Sequence, residues 1–256
     1  MLATTLAAGS LSSNAAETPT SAWYELRYYR MRTDRTEQGR RTNAFLNGAY
    51  LPAVKKAGAG PIGLFGSLIA PDSPFTLCLT SYPSLAAMET VRENLAASPE
   101  YQKALADFDG APDQPYIKME SWLLRAFDFF PAIEVPEGAG DARRPARIFE
   151  MRTYQALNQT YLQKKIKMFG SGELGIFKRL GIAPVWFGEA VAGADLPHLT
   201  YMTSFENLAA REKAWAAFGP DPDWIKLRTN PEFSMPGLSS NMSISILNPL
   251  NRSDIR

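Results

Sequence analysis

Two short stretches carry residues that could do chemistry. "YELRYY" (Tyr24–Tyr29) places Glu25, Arg27 and Tyr29 at alternate positions, and "FEMRTY" (Phe149–Tyr154) places Glu150, Arg152 and Tyr154 in the same order. Side chains alternate faces along a β-strand, so each trio shares one face. An Arg there can hold a carboxylate or enolate, a Glu can take a proton, and a Tyr can hydrogen-bond to a ligand. The same Glu and Arg can instead satisfy one another as a structural ion pair that fixes strand register. The two roles can coexist in one site.

Other reactive residues are scarce. The chain of 256 residues has one cysteine, Cys78, and one histidine, His198. That shortage argues against a zinc site, which draws several Cys or His ligands, and against a Ser-His-Asp triad. Cys78 lies between Leu77 and Leu79 and reads as a small buried hydrophobe. His198 reads as an edge or loop residue. "GAGPIGLFG" (Gly58–Gly66) is glycine-rich but joins a helix to a strand, the wrong context for a dinucleotide motif. No cofactor and no metal are expected. The 27 basic and 26 acidic residues leave a net charge of +1, so no global field would attract nucleic acid. No apolar run reaches the length of a transmembrane helix.

The elements that position the two trios come from an internal repeat. Glu25 and Glu150 are related by an offset of 125. Three further pairs follow at 123: Pro61 with Pro184, "TSYPSLAA" (Thr80–Ala87) with "TSFENLAA" (Thr203–Ala210), and "SPEYQK" (Ser98–Lys103) with "DPDWIK" (Asp221–Lys226). A period this long means a duplicated domain, not a solenoid. The expected organisation is an N-terminal tail (1–21), domain one (22–134), a Gly- and Pro-rich linker (135–146), domain two (147–249) and a C-terminal tail (250–256).

Each copy reads as strand, helix, strand, strand, helix, strand. The first helices end on a basic pair followed by Gly58 or Gly181, which suits a left-handed C-cap. Ser84 and Asn207 are good N-caps for the second helices. Copy one then carries Leu85, Met88, Val91 and Leu95 at helical spacing. Copy two has Leu208, Arg211, Trp215 and Phe218, a less uniformly apolar stripe. The order βαββαβ, twice, is an α+β class fold of two ferredoxin-like repeats. A four-stranded sheet with both helices on one face leaves its other face bare. The two copies are therefore expected to close into one intrachain α+β barrel.

On the first strand of each copy, Tyr24, Leu26 and Tyr28, or Phe149, Met151 and Thr153, form the more apolar face and are expected against the helices. Glu25, Arg27, Tyr29, Glu150, Arg152 and Tyr154 are then expected to line the barrel interior. There they would bind a small organic molecule. The alternative is a non-enzymatic scaffold whose ion pairs are structural and whose outer helices meet other proteins.

The start, "MLATTLAAGSLSSNAAE", is apolar and Ser-rich but lacks a basic leader. It fits a truncated export signal, which implies a periplasmic or secreted protein. It also fits a disordered tail on a cytoplasmic one.

The Glu-x-Arg-x-Tyr strands, the basic pair and Gly ending the first helix, "TSF" followed by "NLAARE", and "DPDW" together resemble the NIPSNAP family. The likeness covers both halves and is stronger in the second. It implies the dimeric α/β-barrel fold, related in shape to small cofactor-independent monooxygenases, without a settled activity. A homo-oligomer is compatible with that fold.

Overall fold

The computed structural model describes residues 20–34, 36–141 and 143–256. The segment that carries the export reading, through residue 19, lies outside the described residues. The first half runs β1 (Trp23–Arg30), α1 (Thr36–Phe45), a π-helical turn (Leu46–Tyr50), α2 (Leu51–Lys56), β2 (Ile62–Ile69), β3 (Phe75–Tyr82), α3 (Leu85–Ala97), α4 (Pro99–Asp109) and β4 (Lys118–Ala126). The second half repeats it: β5 (Ile148–Gln155), α5 (Gln159–Met168), a π-helical turn (Phe169–Glu173), α6 (Leu174–Arg179), β6 (Ala183–Ala192), β7 (His198–Phe205), α7 (Leu208–Phe218), α8 (Pro222–Arg228) and β8 (Asn241–Pro249).

The local signals act as their chemistry dictates. Ser84 Oγ accepts from the Ala87 amide at 3.1 Å and Asn207 Oδ1 from that of Ala210 at 2.9 Å. Gly58 and Gly181 take φ of 94° and 79°, where a Cβ would be strained. "SPEYQK" and "DPDWIK" do not continue the preceding helices. Ser98 and Asp221 cap new ones, α4 and α8, with Pro99 and Pro222 in the first turn.

All eight strands form one closed antiparallel barrel in the order β1-β3-β2-β8-β5-β7-β6-β4. Each half contributes four consecutive strands. The halves join at both edges, β2 to β8 and β4 to β6, with a register irregularity at each seam. Closure leaves no sheet edge unpaired. No helix of the described residues is long and apolar enough to cross a membrane.

The barrel interior is a packed core drawn from both halves, including Tyr24, Leu26, Phe65, Phe149, Trp186 and Met202. Rings meet across it: Tyr24 and Trp186 lie 5.4 Å apart and Phe65 and Phe149 5.1 Å apart. The expected facing of the strands is therefore reversed. The more apolar set points inward, and Glu25, Arg27, Tyr29, Glu150, Arg152 and Tyr154 point out toward the helices. Tyr29 packs with α1 and α2 residues such as Phe45 and Val54, and Tyr154 with Phe169 and Phe177. The physical reason is desolvation. The interior is enclosed by the apolar inner faces of one closed barrel and offers few partners for a charge, whereas the helix layer supplies them.

His198 is also placed differently. It is fully buried at the start of β7, with its ring 5.0 Å from that of Trp122, rather than at an exposed edge. The final residues are no free tail. The Leu250 amide donates to the Leu64 carbonyl at 2.8 Å, and the Asp254 amide to that of Ile62 at 2.9 Å. Ile255 is fully buried in the barrel core.

Candidate functional site

Each trio sits between its sheet and its helices, but the two surroundings differ. In the first half, Glu25 Oε1 accepts from Arg27 Nε at 2.9 Å, Arg92 Nη2 at 3.2 Å and Ser121 Oγ at 3.1 Å, and Oε2 accepts from Tyr82 at 3.2 Å. Burial alone would raise this carboxyl's pKa, but the two arginines and Ser121 outweigh it and hold it low. Part of the space around Arg27 is filled, although its side chain keeps 22% exposure. The ring of Tyr50 is 5.7 Å from its guanidinium, and the Tyr50 hydroxyl pairs with Thr80 at 3.1 Å. Tyr116 packs its ring on Tyr29 at 5.4 Å. Thr42 ties that loop down by donating to the Pro115 carbonyl at 3.0 Å.

In the second half, Glu150 is fully buried and accepts from four donors. Arg152 Nε lies at 2.5 Å, Arg211 Nε and Nη2 at 2.7 and 3.2 Å, and Trp215 Nε1 at 2.8 Å. Arg211 and Trp215 are four residues apart on α7, so one helix face delivers both donors. The Trp215 ring covers the Arg152 guanidinium at 3.7 Å. Arg152 Nη1 reaches only the Tyr154 hydroxyl, at 3.3 Å, and Met242 Sδ, at 3.9 Å. Arg152 Nη2 makes no hydrogen bond among the described residues. Tyr154 in turn pairs with the Tyr201 hydroxyl at 2.9 Å.

Beside Arg152 lies a second buried pair. Lys165 Nζ, from α5, meets Glu173 Oε2, from the π-helical turn, at 2.7 Å. Burial raises the Glu173 pKa against the pull of Lys165 and Arg152. Arg152, Tyr154, Lys165 and Glu173 all border one cavity, an open cleft of about 660 Å³. Its walls are Trp215, Phe218, Trp224, Phe233 and Leu238, and its rim runs along Gly237–Met242. The volume is in the range of small-molecule sites.

The contrast follows from three substitutions between the copies, at the offset of 123 that relates Phe75 to His198. Thr42 corresponds to Lys165, Tyr50 to Glu173 and Tyr116 to Ser239. Two tyrosines that fill space in the first half are a carboxylate and a serine at the cavity wall in the second.

Of the six residues singled out in the sequence, the structure brings Arg152 and Tyr154 to this cavity and places Glu150 directly behind Arg152. Glu25, Arg27 and Tyr29 form a separate cluster in the other half. Lys165, Glu173, Arg211 and Trp215 were missed. The break in the apolar stripe at Arg211 and Trp215 was their signal on α7. For Lys165 and Glu173 the signal was their mismatch with Thr42 and Tyr50. Cys78 is buried, and burial pushes its thiol pKa up to about 12, so it stays protonated. One end of the barrel interior keeps a second cavity, of about 400 Å³, bordered by Tyr28, Arg30, Glu120, Trp122 and Thr153. There Arg30 is already paired with Glu120 at 3.0 Å.

A family model described as NIPSNAP matches residues 24–131 and again 149–254. No curated protein matches the chain. Among solved structures, a candidate monooxygenase of Fusobacterium nucleatum is similar in fold, with a TM-score of 0.59 at 8% identity over 91% of this chain and 94% of that one. A candidate monooxygenase of Lactobacillus acidophilus gives 0.55 at 9% over 90% and 94%. An anthrone oxidase-like protein gives 0.56 at 10% over 91% and 93%.

Proposed function

As this chain belongs to the NIPSNAP family, with two tandem domains, we propose that its second domain binds a small organic molecule in the cavity bordered by Arg152, Tyr154, Lys165 and Glu173. The observation that carries this reading is Arg152 itself. It is 9% exposed, borders the cavity, and keeps an Nη2 without an acceptor among the described residues. A guanidinium edge that opens on the cavity with unused donors can take an acceptor from a ligand. The first domain is the internal control: Tyr50 stands beside Arg27 and Tyr116 beside Tyr29, where the second domain has Glu173 and Ser239, and the Glu25 cluster reads as a structural ion pair.

Oxygenation is the reaction class suggested by the monooxygenase and oxidase-like neighbours, and we read it here as proceeding without a cofactor. It would need an electron-rich substrate able to react with dioxygen directly. Glu173 and Tyr154 border the cavity and are the groups placed to move a proton in it.

The test is mass spectrometry of small molecules released on denaturing the purified protein, beside a Ser239→Trp variant that restores a large ring near the position of Tyr116. A molecule released by the wild type and absent from the variant is the expected result. Equal release from both would sink the assignment to this cavity.

A further inference from the structure

Building on that reading of the second-domain cavity, we infer that its ligand is an organic anion, a carboxylate on an apolar body, held with its head on the outer edge of Arg152. The first ground is charge. Glu150 is the carboxylate nearest Arg152, but it is already held by both nitrogens of Arg211 and by the Trp215 indole. Two arginines thus share one buried carboxylate. Lys165 is committed to Glu173, one cation to one anion. Arg228 adds a further cation at the cavity rim. The surroundings therefore carry more positive than negative charge, and the excess is least solvated at Arg152, whose side chain is 11% exposed against 25% for Arg211.

The second ground is geometry. Nε of Arg152 is spent on Glu150 and one guanidinium face is covered by Trp215. The groups left are Nη1, which has only long contacts, and Nη2, which has no hydrogen bond among the described residues. A guanidinium edge whose Nη1 makes only long contacts, to Tyr154 and Met242, matches a carboxylate in a bidentate fork. The third ground is the rest of the cavity. Trp224, Phe218, Phe233, Leu238 and Met242 offer an apolar wall, which fits a hydrophobic body and not a small hydrophilic acid. A buried, half-committed arginine faced by an apolar wall selects an amphiphilic anion.

The same excess exists around Glu25, which also holds two arginines, yet there Arg92 is 49% exposed and Arg27 22%. Water can solvate those charges, so the first domain does not call for an anion.

The experiment titrates the full chain with 1-naphthoate and with its neutral isostere 1-naphthamide, followed by calorimetry and by tryptophan fluorescence, since Trp215 and Trp224 border the cavity. The wild type is expected to bind naphthoate at least about tenfold tighter than naphthamide, one charge-assisted fork being worth that much or more. Arg152→Met should abolish the preference, leaving naphthoate bound no tighter than naphthamide. Ser239→Trp should remove both. If Arg152→Met does not fold, the wild-type preference for the anion and its decline with added salt carry the same test. Equal binding of both probes overturns the anion assignment while leaving the cavity reading intact. Binding that survives Ser239→Trp, or no binding of either probe up to about 1 mM, overturns both.

Discussion

Glu25 and Glu150 occupy equivalent positions and both recruit two arginines, but they act differently because of what stands next to them. Glu25 is satisfied by Arg27, Arg92, Ser121 and Tyr82 and stabilises the first domain. Its folded-state pKa is held below the ordinary carboxylate value. The sign follows from linkage: the stabilisation is fully present above the unfolded pKa and is lost as pH falls through the lowered folded one. Glu25→Gln should therefore cost about 3 kcal/mol near neutral pH, as for breaking a buried pair. The gap from the wild type should narrow as the solution is acidified. Urea denaturation at a series of pH values measures it, and a gap independent of pH would refute the ion-pair account. The Glu-x-Arg-x-Tyr spacing was plain in the sequence, and so was the shared face. Which way that face points was not. Alternation says only that the trios oppose Tyr24, Leu26 and Tyr28, and both faces of this sheet are buried.

At the scale of elements, helix starts were legible because a cap is a local device. Ser84 and Asn207 needed only the amide three residues ahead. The role of residues 250–256 was not legible, because their partners lie nearly two hundred positions away. This segment runs beside β2, where Ser253 Oγ accepts from the Leu64 amide at 3.0 Å and Asp254 from that of Ile62 at 2.9 Å. Deleting residues 250–256 uncovers β2 and removes Ile255 from the core. Burial of that side chain alone is worth about 2 kcal/mol, and the lost hydrogen bonds add to it. The expected outcome is a clear fall in melting temperature by differential scanning calorimetry. An unchanged melting temperature would show the segment to be dispensable.

For the whole molecule, the consequence of duplication is a barrel that neither half can close. The core that holds Tyr24 against Trp186 and Phe65 against Phe149 draws on both. A half on its own would expose a large apolar face and two unpaired edges, β2 and β4 or β6 and β8. Each half expressed separately, divided within residues 135–146, is expected to aggregate or to pair with a second copy of itself, and the two co-expressed should assemble one to one. Size-exclusion chromatography with light scattering distinguishes these states. A soluble monomeric half would contradict the shared core. Duplication also freed the halves to diverge. The first spends Tyr50 and Tyr116 on filling space, and the second replaces them with Glu173 and Ser239 at a cavity.

The sequence by itself determined the repeat, the βαββαβ order, the caps, the α+β barrel class and the family, because these rest on short-range periodicity and on order along the chain. Only the tertiary structure decided which strand face turns inward, that His198 is buried, that the last residues complete the barrel, and that Arg152 meets Lys165, Glu173 and Trp215 at one cavity. Those outcomes depend on where buried charges find partners. The helix donors to Glu25 and Glu150 come from 61 to 67 positions away along the chain, and no local pattern records that meeting.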